Sequence, residues 1–212
     1  MSDTEKKLLV LGIGNPLMGD EGVGPRVVEY LLSEYAFPED VDVIDAGTMG
    51  FTMLNVFEGV DLAVVVDAVQ GTGHEPGTIL LLDPESLAPN QIMHSLHDAR
   101  LPDVLDAAKL MGMEPEVMCV AVQIGDIEHW QLELSPVAAT AVPNAAQAVV
   151  GLLAERGVVV RRREKSSTAQ EGVADARTPS SDGPAEGDQA ASEADRAVKI
   201  LRSLRTKDDV DA

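Results

Sequence analysis

Cysteine is nearly absent: Cys119 is the single one in 212 residues, so no disulfide can close within the chain and nothing points to an oxidising compartment. Aromatic residues make up only 3%, so the 45% apolar content must build an aliphatic core of Leu, Val, Ile, Ala and Met. Basic residues are scarce in most of the chain. Residues 1–160 hold 6 Lys and Arg against 25 Asp and Glu, a balance of -19, while residues 161–212 hold 10 against 11. An acidic body of this kind repels nucleic acid and anionic lipid, so neither is expected as a partner. Its excess charge serves solubility, or steers a basic segment of a partner. No run of 18 apolar residues occurs, and Leu8-Leu9-Val10 is too short for the apolar region of a signal peptide. The expectation is a cytoplasmic protein with no membrane span.

Several catalytic signatures are also missing. The loop Gly12-Ile13-Gly14-Asn15-Pro16-Leu17-Met18-Gly19-Asp20-Glu21 joins an apolar run to a helical pattern, as phosphate-binding loops do. It has neither the GxGxxG spacing nor a following GK[ST], which argues against a bound nucleotide. There is no GxSxG elbow and no HExxH helix. Cys119 lies inside the apolar run 117–122, where a thiol is packing material, and Ser95 between His94 and His97 has no triad spacing.

What is present is an alternation of short apolar runs with helical patterns. Strands are expected at 8–13, 41–45, 62–66, 78–82 and 117–122. Helices are expected from 23 to about 35, from 50 to 58, from 101 to 111 and from 136 to 155. This order predicts a three-layer α/β/α sandwich around a mostly parallel twisted sheet of about five strands. The Gly- and Pro-containing stretch 70–77 leads into 78–82, which is the candidate for one antiparallel strand. Residues 1–160 form the expected domain. Residues 161–212 form a charged extension rich in Ser, Ala, Gly, Pro, Asp and Glu, largely disordered, in which Ala194, Ala197, Val198, Leu201 and Leu204 recur at helical spacing.

In an open α/β sheet the binding crevice lies beyond the carboxyl ends of the strands. That rule places the Gly14–Glu21 loop, Asp45 and Asp67 on one rim. Asp20 and Glu21 stand where a helix begins, which favours anions and makes helix capping the plain alternative for Asp20. Asp67 follows an apolar run at the expected end of its strand, a place where a carboxylate must be solvated, paired or metal-bound. His97 sits in the polar loop 84–99, just before a helix. Two carboxylates with one imidazole would suit a transition-metal ion, with water completing its shell.

Gly12-Ile13-Gly14-Asn15-Pro16-Leu17-Met18-Gly19-Asp20-Glu21-Gly22-Val23-Gly24 closely resembles the N-terminal signature of the hydrogenase-maturation endopeptidases. Asp45-Ala46-Gly47-Thr48-Met49-Gly50, Val64-Val65-Val66-Asp67-Ala68-Val69, and His97 ahead of Leu101-Pro102-Asp103-Val104-Leu105 follow in the family's order and spacing. The resemblance covers about residues 7–157, and the extension beyond residue 161 lies outside it. It implies an endopeptidase, aspartic-type in the family's classification, that removes a C-terminal peptide from the precursor of a [NiFe]-hydrogenase large subunit after nickel insertion, thereby activating the hydrogenase. It further implies that Glu21, Asp67 and His97 occupy metal-contacting positions and that Asp45 is a further acidic position in the cleft. His94 competes with His97 in sequence, but the distance from His97 to Leu101 and to 103–105 matches the family pattern. The implied metal is the precursor's own nickel rather than a stored cofactor, with cadmium or zinc able to stand in for it in vitro, and the implied enzyme is a monomer.

Two other readings start from the same residues. Peptidyl-tRNA hydrolases also place Gly-x-Gly-Asn-Pro after their first strand, but they need a basic face and a histidine soon after the loop. Here residues 1–160 carry -19 and no histidine precedes His74. A chaperone that holds the precursor without cutting it would leave the precursor's mass unchanged.

Overall fold

In a computed structural model, the described residues are 7–84, 101–125 and 131–163. His94, His97 and the expected helix in the C-terminal extension fall outside them. The five-stranded sheet has the order β3-β1-β4-β6-β5, formed by Val41–Gly47, Leu8–Ile13, Leu62–Val69, Glu116–Gln123 and Ile79–Leu82. All neighbours are parallel except β5, which runs antiparallel to β6 and is the one strand expected to be so. All six β1 residues are buried, as an apolar run covered on both faces requires.

Two aliphatic clusters sandwich the sheet. One lies under α1 (Val23–Glu34) and α3 (Pro136–Glu155) and contains Val10, Val27, Leu31, Val64, Ala145, Val149 and Leu153. The other lies under α2 (Leu101–Leu110) and the 3-10 helix Gly50–Phe57, and contains Leu11, Met53, Phe57, Val65 and Val104. The result is the three-layer α/β/α sandwich that strand–helix alternation predicts. Val23, Val27 and Leu31 repeat every fourth residue and form the stripe that α1 buries. Alanines make up much of the buried face of α3, and Pro136 opens it where no amide partner is needed. By length and composition, with a mean hydropathy of 1.5, α3 could cross a membrane; 61% of that stretch is instead buried within this fold.

Three features depart from the sequence expectation. Strand β4 continues to Val69, so Asp67 lies within it rather than at its end. The cause is unequal pairing: β6 follows β4 as far as Val69 opposite Gln123, whereas β1 leaves it after Gly12 opposite Val66. Asp67 therefore sits just beyond the last β1–β4 pair, on the edge of the ladder that β1 vacates. Residues 50–57 adopt a 3-10 helix entered through Gly50 at φ +54°. Finally, Arg161–Arg162, grouped with the extension by charge, forms β7 and pairs antiparallel with β2 (Tyr35–Ala36). The Arg162–Glu34 ion pair at 3.1 Å and donation from Arg163 Nε to the Tyr35 carbonyl at 2.8 Å hold it there. These bonds carry the fold to Arg163.

The chain passes from β1 through α1 to β3 on one side, then crosses back to β4 on the other side of β1. The carboxyl ends of β1 and β4 thus flank the point where strand order reverses, the usual crevice of an open α/β sheet.

Candidate active site

Two carboxylates at that crevice, Glu21 and Asp67, are set by backbone geometry. After β1 the chain turns sharply. The Asn15 side chain accepts from the Leu17 amide at 3.0 Å, and the Gly14 amide donates to the Gly47 carbonyl at 3.0 Å, tying the loop to the end of β3. The 3-10 helix Gly19–Gly22 then leads into α1. Gly14 has φ +130°, and a Cβ there would overlap the Glu21 carbonyl oxygen. At Gly24 a Cβ would overlap the Ile13 oxygen and stand 2.5 Å from that of Val66. The first turn of α1 is therefore pressed onto the ends of β1 and β4. Glu21, three residues earlier and only 3% exposed, is delivered beside Asp67.

Asp67 is half-buried, and its Oδ1 accepts from the Ala68 amide at 2.7 Å. Burial pushes its pKa up to about 8; the Ala68 amide opposes the shift, and the Glu21 carboxylate adds to it. Without a cation, Asp67 holds its proton at neutral pH. The folded state thus keeps a proton that the unfolded chain releases near the ordinary carboxyl value of 3.8. The contribution is present below that value and is lost as pH rises towards about 8. Asp67→Asn removes this loss. In thermal melts of the metal-free protein, the variant should melt above wild type at pH 9, by roughly 2–4 °C for each kcal/mol relieved, and the gain should shrink at pH 5. Equal gains at both pH values would contradict the assignment.

Asp20 has a structural role, but not as a cap of the helix it precedes, where no side chain caps the start. Its carboxylate accepts from the Ser135 amide at 2.6 Å and from the Ser135 hydroxyl at 2.7 Å, while Ser135 Oγ accepts from the Ala138 amide at 3.2 Å. It thereby fastens the capped start of α3 to the turn that carries Glu21. Asp45 is exposed at the end of β3, level with Gly12, and its Oδ1 accepts from the Gly47 amide at 2.9 Å. Among the described residues no group of three His, Cys, Asp or Glu side chains stands close enough to hold a metal ion. The structure thus brings Glu21 and Asp67 together and leaves Asp45 outside a three-donor group. His94 and His97 lie outside the described residues. Cys119 is buried in β6, and burial, with Asp67 and Asp83 adding to it, pushes its thiol pKa far up, as inert packing material requires.

A buried carboxylate beside a protonated one is chemically suited to a cation. A dication placed between them would replace the Asp67 proton and offset the repulsion from Glu21, and oxygen donors suit hard or borderline metals. Sequence reasoning did not single out Gln123. It is buried at the end of β6, where its Oε1 accepts from the Thr72 hydroxyl and its Nε2 donates to the Ile124 carbonyl at 2.7 Å. These bonds pin the β4–β5 loop to the rim. A lone Gln ending an apolar run was the only signal for it.

Known proteins agree with this architecture. The family model for HycI, hydrogenase maturation protease, matches residues 25–152. The chain is 33% identical over 161 residues to the hydrogenase 2 maturation protease of Escherichia coli, covering 74% of this chain and 97% of that one. It is 35% identical over 165 residues to the hydrogenase expression/formation protein HupD of Bradyrhizobium diazoefficiens, covering 76% and 85%. Among solved structures, the hydrogenase maturating endopeptidase HybD from E. coli superposes with a TM-score of 0.67 at 34% identity, covering 74% of this chain and 98% of that one. A rim built around Glu21 and Asp67, on a fold and sequence shared with these proteins, identifies the chain as a peptide hydrolase of the hydrogenase maturation protease family.

Proposed function

We propose that the enzyme removes the C-terminal peptide of a [NiFe]-hydrogenase large-subunit precursor once nickel has been inserted, and that it recognises the inserted nickel directly. The observation that supports this is the Glu21–Asp67 pair, two carboxylates held together at a cost that a cation would remove. A precursor that lacks its metal offers these oxygens nothing to bind, so the pair discriminates by charge. His97 would complete the ligand set as an imidazole donor. It lies four residues ahead of Leu101, and α2 runs back from Leu101 towards the start of β6, which puts Leu101 at the end of α2 nearer the rim. Asp45 would serve as an additional acidic group of the cleft. No metal is stored: the ion arrives in the precursor, although cadmium or zinc could occupy the same ligands in vitro, and its chemistry when bound would be Lewis-acid polarisation. A carboxylate of the pair would take the proton from the attacking water. The enzyme would act in the cytoplasm as a monomer.

The ligand assignment has a direct test in the mass of a matched, nickel-loaded precursor after incubation. Wild type and His94→Ala should shorten it, and His97→Ala should leave it whole. Shortening by His97→Ala at the wild-type rate would remove that residue from the site. An unchanged precursor mass with the wild-type protein would instead favour the non-cleaving chaperone.

A further inference from the structure

Among the described residues nine large apolar side chains are exposed, and five of them, Leu17, Met49, Phe51, Leu132 and Val137, lie on the loops and the helix start at the carboxyl end of the sheet. We propose that these five form an apolar collar around the Glu21–Asp67 site, and that its occupant is the folded body of the precursor, through a face of apolar side chains ringed by Lys and Arg. This rests on the proposed function and names the surface that serves it.

The collar is built on segments fixed to one another. The Gly14 amide donates to the Gly47 carbonyl at 3.0 Å, joining the loop of Leu17 to the segment of Met49 and Phe51. On the other side, the Gly19 amide donates to the Gln131 carbonyl at 2.7 Å, and Arg26 reaches the Leu132 carbonyl at 3.4 Å. Val137 packs against Gly77 of the β4–β5 loop. A cleft of about 530 Å³ lies between Gly19 and Asp20 of the turn that carries Glu21 and residues 131–136, and Leu132 of the collar lines it. Small ligands are held in concave sites that enclose most of their surface. Apolar side chains spread over the loops around an open site, with polar groups between them, form instead the core and rim of a protein interface. The polar groups here are acidic: Asp45 and Glu133 are exposed between the apolar residues, and residues 1–160 carry -19 in all. A partner with a basic rim is therefore attracted and oriented, and its association should weaken with salt.

The test compares Phe51→Ser/Leu132→Ser with Leu110→Ser/Met111→Ser, a control pair at the carboxyl end of α2 that is 90% and 67% exposed. Both pairs are exposed, so thermal melts should match wild type. Binding of the nickel-loaded, full-length precursor is measured by interferometry, and processing by mass. The collar variant should raise Kd and KM about tenfold or more with kcat little changed, as loss of interface anchors does, whereas the control should leave all three in place. An unchanged Kd in the collar variant, or an equal rise in the control, overturns the collar. If wild type binds but does not cut, and the collar variant still loses binding, the docking surface stands and the proteolytic reading falls. If wild type does not bind at all, both are overturned.

Discussion

Glu21→Gln is expected to lower precursor processing by roughly 10²–10⁴-fold, the range of a positioned acid–base group, while the fold persists. Gln has nearly the volume of Glu, so packing beneath the turn is kept and only the charge is removed. That charge has two consequences in the structure. It supplies an anionic oxygen at a position almost closed to solvent, and it helps hold Asp67 protonated. The substitution should therefore also move the Asp67 pKa downward, a change visible in a carboxyl titration of the metal-free protein. Loss of processing together with a lower Asp67 pKa identifies an acting pair. Wild-type processing with an unmoved Asp67 titration would remove Glu21 from the chemistry.

Gly24→Ala should damage both stability and activity, although residue 24 carries no functional group. Its Cβ would collide with the backbone oxygens of Ile13 and Val66, which belong to two central strands and have little room to move. Overpacking of this kind costs about 1–3 kcal/mol, which for a chain of this length corresponds to a fall in Tm of roughly 2–4 °C per kcal/mol. The start of α1 must then lift from the sheet, and the adjoining turn carries Glu21 away from Asp67. Melting and processing should fall together, and more than the stability loss alone explains at a temperature where the variant is folded. Gly125→Ala is the control: among the described residues its Cβ would meet only the Pro76 ring, at 4.0 Å, and its effect should stay within about 0.5 kcal/mol. Full processing by folded Gly24→Ala would mean that close packing of helix on strand does not position the site.

These glycines show where sequence reasoning works and where it stops. Runs such as 8–13 and 62–66 announce strands because only a doubly covered strand buries an unbroken aliphatic segment. The repeat of Val23, Val27 and Leu31 announces α1 for the corresponding reason. Strand–helix alternation, with the rule that crevices lie beyond carboxyl strand ends, was enough to group Glu21 with Asp67. Other facts depend on pairs of residues far apart in sequence. Asp67 lies inside β4 because β6 extends past β1, and no local pattern states the relative lengths of two partners. Asp20 holds Ser135, the N-cap of α3, 115 residues away, and no local reading can supply a partner so distant. Tyr35–Ala36 and Arg161–Arg162 are two residues each, too short for any periodicity, and the arginines looked like the beginning of a charged tail. In sequence, nothing distinguishes the apolar residues at 17, 51 and 132 from those that face the core. Their exposure at the rim emerges only in the folded chain.

The central claim is that this site cuts its substrate only when a metal ion is presented to Glu21 and Asp67. It is tested most directly by the intact mass of a matched large-subunit precursor, nickel-loaded and nickel-free, after incubation with the wild-type enzyme. The account predicts loss of a C-terminal peptide from the nickel-loaded form and an unchanged mass for the nickel-free form. Equal shortening of both, or of neither, would contradict it.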